Sequence, residues 1–223
     1  MSTNLYYQYN PTLSANSEST INSRVRSTVT EYFDESVGKF QQVFRRSNLL
    51  TEVDACDPSI LSSRADILMQ RRFIPILTIT DNYVLDFPVA LKSPTDSEVP
   101  VIKTAPFNHR GKTVYIRNKL NDRVKVSPEG RVPIVFDRLP SNKLEMVDFD
   151  DNVIISNIGY YDPQAARVYI TGLSVQNTMN TNNYIKLFAT PANESAIESK
   201  FQNILKFDDV ESSIRAIPIQ SKV

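Results

Sequence analysis

The chain has 223 residues and a mass of 25.3 kDa, enough for one sizeable domain or a small domain with an arm. Hydrophobic residues at 41% and charged residues at 22% exclude a disordered or fibrous chain. Twenty-five Lys and Arg balance twenty-five Asp and Glu, so no overall basic field holds a polyanion, and nucleic acid is not an expected partner.

Residues 1–24 are rich in Ser, Thr and Asn, with Tyr6, Tyr7 and Tyr9 close together and little aliphatic periodicity. They read as an arm that is either mobile or docked on a partner through its rings. From Val25 the pattern changes. Val25, Val29, Phe33, Val37, Phe40 and Phe44 recur at helical spacing and predict one amphipathic helix over 25–47. Thr28 and Glu31 have capping-box spacing near its start, Arg45 and Arg46 suit its C-terminal dipole, and Gly38 weakens its interior. The stripe packs either on the chain's own domain or on another subunit. Its Val29, Phe33, Val37, Phe40 and Phe44 are the expected subunit interface.

Residues 48–223 are expected to form a β-rich, mostly antiparallel body. β-forming runs occupy 66–80, 83–91, 113–118, 132–136, 144–149, 152–155, 167–173 and 184–189. In 112–117, Val114 and Ile116 alternate with Thr113, Tyr115 and Arg117, which predicts a strand with one wet face. Asp150, Asp151 and Asn152 are turn formers, so 144–155 reads as a hairpin. Residues 157–166 join the next two strands. Ala196, Ile197, Lys200, Phe201 and Ile204 suggest a short helix capped by Asn193, and 214–219 a returning strand. The fold class is therefore α+β, mainly β: an arm, one helix, a β-rich body and a short C-terminal helix.

The chemistry is sparse. One histidine, His109, and one cysteine, Cys56, cannot supply a four-ligand zinc site or an internal disulfide. Cys56 sits among carboxylates that oppose thiolate formation, so a Cys56–His109 nucleophilic pair is a poor reading and both residues are expected to be dispensable. Asp148, Asp150 and Asp151 lack the further ligands and the glycine of a calcium loop. No phosphate loop, dinucleotide fingerprint, HExxH or GxSxG occurs. No cofactor is expected, and the chain is read as not an enzyme. No apolar run reaches the ~18 residues of a membrane span, and no basic segment leads an apolar one at the start, which predicts a soluble protein with no membrane partner. Arg71 and Arg72 fall on opposite faces of a strand, with Asp54 and Asp57 the nearest carboxylates in sequence; one arginine is expected to anchor the loop 48–63.

Three stretches, DPSILSSRADILMQRRFIP from Asp57, SNKLEMVDFDDNVIISNIGYYDPQAARVYITGL from Ser141 and SAIESKFQNILKFDD from Ser195, run in the same order as in a known family. Together they resemble the C-terminal part of the large, ring-forming baseplate wedge protein of T-even-type contractile-tail phages, with more distant baseplate J-like relatives. The resemblance implies a structural virion protein of the tail baseplate, assembled in the host cytoplasm. Its implied partners are further copies of itself, other baseplate wedge proteins and a sheath-initiating baseplate protein. The wedge proteins are longer, so this chain is a fragment, a split-gene product or a shortened relative, and its arm and helix precede the similar region. A carbohydrate- or ligand-binding β-domain stays open as an alternative, with Tyr160 and Tyr161 available to stack on sugar rings or to pack as structural aromatics beside Gly159.

Overall fold

Alternation, more than polarity, decides the N-terminal segment. Leu5, Tyr7 and Tyr9 are buried while Asn4, Tyr6 and Gln8 point the other way, so Ser2–Tyr9 is a strand (β1) and not an arm. The computed structural model describes residues 1–37, 42–94, 100–126, 133–198 and 205–219, without the side chains of 120–126 and 133–140. It divides into two compact units, Met1–Leu68 with Asn193–Val223 and Met69–Ala192.

After β1 come α1 (Glu18–Tyr32), a π-helical turn (Phe33–Val37), β2 (Val43–Arg45), α2 (Arg46–Ala55) and β3 (Ile60–Phe73), whose last five residues enter the second unit. The second unit continues with β4 (Thr80–Asp86), β5 (Ile102–Thr104), β6 (Phe107–His109), β7 (Lys112–Val126), β8 (Pro133–Asp148), β9 (Val153–Asp162), β10 (Arg167–Ser174), β11 (Asn177–Thr178) and β12 (Ile185–Ala189). The chain then returns to the first unit with β13 (Ala196–Glu198) and β14 (Ser213–Pro218). Strands outweigh helices, as an α+β, mainly β chain requires.

In the first unit β1 lies between β3, antiparallel, and β14, parallel. Pro218 stands at the end of this edge strand, where a missing N–H costs no ladder bond. One sheet face carries Leu5, Tyr7, Tyr9, Ala65 and Ile67 and is covered by Ile21, Val25 and Val29 of α1. Two phenols fix the layers: Tyr7 donates to Asn22 Oδ1 at 3.0 Å and Tyr9 to Glu18 Oε2 at 2.9 Å.

The helix starts earlier than its aliphatic stripe suggests. Ser17 caps it by accepting from the Thr20 N–H, and Thr28 and Glu31 fall inside it. It also ends earlier. Arg45 lies in β2 and Arg46 opens α2, so neither caps its C-terminus. Gly38 and Phe40 lie outside the described residues. The expected C-terminal helix is also corrected, because Ala196–Glu198 pairs with β2 as a strand, and Asn193 caps a turn by accepting from the Ser195 N–H at 2.9 Å; residues 199–204 lie outside the described residues.

In the second unit the strands run β3, β12, β5, β7, β8, β9, β10, β4, with β6 and β11 paired beside β7. The pairs are antiparallel. Hairpin 144–155 forms as its Asx turn predicts, with Met146 opposite Ile155, and Asp148 Oδ1 accepting from the N–H groups of Asp150 and Asn152. Beyond it, β9 extends to Asp162, so most of 157–166 is strand and not connection. Gly159 lies within that strand at φ +146°, and a Cβ there would stand 2.0 Å from the Tyr169 carbonyl oxygen. Only glycine fits so close an approach.

The face of 112–117 expected to be wet is half-buried at Thr113 and buried at Tyr115 and Arg117. Tyr115 is 9% and Arg117 6% exposed, because the guanidinium is neutralised in place: Nε donates to Glu145 at 3.0 Å and Nη1 to Asp151 at 2.7 Å. Burial works against the Arg117 charge, but the Glu145 hydrogen bond and the surrounding Tyr115 and Asp151 hold its pKa above the ordinary value. The Tyr115 phenol, pushed up by burial and then by Asp151, donates to the same Asp151 carboxylate at 2.9 Å, and Lys103 Nζ lies 4.7 Å from its ring centre.

Candidate functional site

The stripe expected as a subunit interface is already covered by its own chain. Val29 and Phe44 are 0%, Val37 1% and Phe33 2% exposed. Phe33 stacks on Phe44 at 5.5 Å and on Phe207 at 4.7 Å between ring centres, with Tyr32 edge-on to Phe33 and Phe44. Phe44 reaches this cluster from β2 and not from the helix, because the backbone leaves the helical path before it. These side chains form core of the first unit and need no second chain for burial.

The expected arginine anchors are also placed differently. Arg71 Nε donates to the Asp86 carbonyl at 2.7 Å and the Arg72 guanidinium lies 4.9 Å from the Tyr184 ring centre, all within the second unit. Asp54 is exposed on α2. Asp57 does anchor its loop, but through other partners. It is 1% exposed, and its Oδ1 accepts from the Ser59 N–H and hydroxyl at 3.0 and 2.7 Å. Oδ2 accepts from Asn16 at 2.9 Å and from Ser14 and Arg24 at 3.3 Å. Burial alone would raise this carboxyl, yet the hydrogen bonds from Ser59, Asn16 and Ser14 outweigh it and hold the pKa at about 2.

That shift carries a pH signature. A carboxyl depressed on folding stabilises the folded chain above its ordinary range and loses that contribution as pH falls from about 4 toward 2. Asp57→Asn is expected to cost about 1.5–3 kcal/mol at neutral pH, the range for hydrogen bonds to a charged group, and to flatten the acid limb of stability against pH. Urea melts of both proteins at neutral and acid pH measure this; an unchanged acid limb would show that another group controls it.

The remaining chemical candidates are structural in their contacts. His109 ends β6, is 4% exposed, and its Nδ1–H donates to the Ser174 carbonyl at 2.7 Å, so it is a buried strand residue. Cys56 follows α2, with its thiol pushed up by burial and then by Asp57. Tyr161 is fully buried, which removes it as a sugar platform, and Tyr160 stacks on Tyr169 at 4.6 Å. Among the described residues no three His, Cys, Asp or Glu side chains gather to hold a metal, and no helix is long and apolar enough to cross a membrane.

What stays open is the second face of the first unit's sheet. Opposite α1, Asn4, Tyr6 and Gln8 of β1 are in register with Asp66, Arg64 and Ser62 of β3 and with Ser213, Arg215 and Ile217 of β14. Arg64, Arg215, Gln8, Ser62 and Ile217 are exposed. The Arg64 guanidinium lies over the Tyr6 ring at 4.9 Å, and Ser62 Oγ donates to Gln8 Oε1 at 3.2 Å. Tyr6, Gln8, Ser62, Arg64 and Ile217 wall a cleft of about 200 Å³. No histidine, cysteine or carboxylate is among its lining residues. A tyrosine in one row with two arginines, beside Ile217, has instead the composition of a protein contact. The polar composition of residues 1–24 masks this face, and the alternation of Leu5, Tyr7 and Tyr9 with Tyr6 and Gln8 marks it.

The family model described as baseplate structural protein gp6, C-terminal domain III, matches residues 1–72. No curated protein matches the chain. The matched stretch includes β1 and α1, the part expected to stand outside the region of resemblance, and it ends within β3. The chain is thus similar over its first 72 residues to a baseplate structural domain, which supports a structural role in a phage tail baseplate, among other baseplate components, and suggests a non-enzymatic one.

Proposed function

We propose that this chain is a wedge subunit of a contractile-tail baseplate, binding further copies of itself and neighbouring wedge subunits in the ring around the tail hub. The supporting observation is that residues 1–68, most of the matched stretch, fold with the returning C-terminal strand into a unit that keeps one sheet face exposed. A structural subunit needs such a face for its neighbours. A sheath-initiating protein is a further expected neighbour. His109 and Cys56 take no part in function on this reading.

A tagged copy supplied to a phage lacking the gene tests it. Electron microscopy is expected to find the tag on the baseplate, in several copies about the tail axis, with contractile function restored. Cys56→Ser is expected to assemble equally well. A tag found on the capsid or on receptor-binding fibres, or specific glycan binding by the isolated chain, would overturn the wedge reading in favour of a ligand-binding domain.

A further inference from the structure

The segment leading into β14 carries a feature that complements the open cleft. Its turn is held rigidly at both ends. The Asp208 N–H donates to the Met1 carbonyl at 2.8 Å, Ser212 Oγ donates to the Asp208 carbonyl at 2.7 Å, and Ser212 Oγ accepts from the Thr3 N–H at 3.1 Å. At the apex Val210 is 87% exposed, more than any other large hydrophobic residue described. Asp209 and Glu211, both exposed, flank it; Asp209 also pairs with Arg26 of α1. The turn therefore presents one branched aliphatic side chain between two carboxylates.

The cleft presents the reverse pattern. Arg64 and Arg215 lie either side of Tyr6, and the next row offers Ile217, Gln8 and Ser62 around the cavity. Asp66 is the only carboxylate in these three rows, 3.8 Å from Arg64. A chain cannot fill its own cleft this way. The turn precedes Ser213 and the cleft lies at Ile217, so four strand residues of about 3.3 Å each hold them apart.

We propose that the Asp209–Glu211 turn of a second copy seats in this cleft, with Val210 against Tyr6 and Ile217 and the carboxylates against Arg64 and Arg215. The inference rests on the self-association in the reading above and names its surfaces. The contact is heterologous, because turn and cleft are different patches, so copies join head to tail and form a closed ring or an open chain according to the rotation between them. The preformed turn and the cation already stacked on Tyr6 reduce the ordering cost of binding.

The asymmetry makes the test sharp. Val210→Asp spoils the turn and leaves the cleft intact; Arg64→Glu with Arg215→Glu does the opposite, and all three positions are exposed, so folding should survive and circular dichroism checks it. In sedimentation experiments the wild-type chain is expected to associate, more weakly as salt rises, and each variant alone to associate about tenfold or more weakly. Mixing the two variants is expected to restore a one-to-one dimer and nothing larger. Variants that associate like the wild type would overturn these surfaces while leaving self-association standing. A mixture that stays monomeric would overturn the head-to-tail geometry. A wild-type chain that is monomeric at every concentration and salt would overturn both this inference and the self-association it rests on.

Discussion

Phe33→Ala is expected to destabilise the first unit by about 3–5 kcal/mol, the range for deleting a buried aromatic. Phe33 is 2% exposed and sandwiched between Phe44 and Phe207, with Tyr32 against its edge, so the cavity opens where four rings meet. Those rings come from helix, strand and the returning C-terminal segment, and none can close the gap without leaving its own element. Thermal melts followed by far-ultraviolet and near-ultraviolet circular dichroism should show early loss of the first unit. Were Phe33 instead part of a subunit contact, the isolated chain would keep its stability and lose only association; that outcome would refute the burial argument.

Arg117→Met is expected to cost a similar amount, about 3–5 kcal/mol, for a different reason. It strands Glu145, which is 3% exposed, without the guanidinium that neutralises it, and frees the Asp151 turn from its bond to β7. Pairing the change with Glu145→Leu should recover much of the loss, because replacing both members of a buried pair by apolar groups is often close to neutral. A double variant no more stable than Arg117→Met alone would show that the guanidinium acts through packing on Tyr115 and not through charge.

Much of the second unit was legible in the sequence because its information is local. Strands at 112–118, 167–173 and 184–189 alternate or carry β-branched and aromatic residues, and the 144–155 hairpin announces itself by Asp150, Asp151 and Asn152. At two places composition and conformation diverge. Ser2–Tyr9 is polar on average yet alternates in burial from Thr3 onward, and Ser17–Ser23 is rich in hydroxyls yet begins a helix, because Ser17 caps it and Ile21 starts its buried stripe. Both signals were present and were outweighed by the count of polar residues.

The candidate site was less legible. Its three strands come from residues 2–9, 60–68 and 213–218, and Asn4 is hydrogen-bonded to Ser213 across 209 positions. Nothing local marks Tyr6, Arg64 and Arg215 as neighbours in one row. Likewise Asp57 and Arg24, or Glu145 and Arg117, are ordinary charged residues until folding places them together.

The sequence by itself determined the mainly β class, the sides on which residues of each recognisable strand fall, and the turn at Asp150 to Asn152, because backbone propensity and side-chain periodicity act over a few residues. Only the tertiary structure decided what covers each side. The Phe33 stripe meets its own chain and not a second one, and Arg117 of β7 is buried against Glu145 where a wet side chain was expected; the face of β1 bearing Tyr6 is left open while its opposite face is closed by α1. Period sets direction, but burial is set by whichever distant segment arrives, and that depends on contacts whose loop-closure entropy and packing no local pattern records.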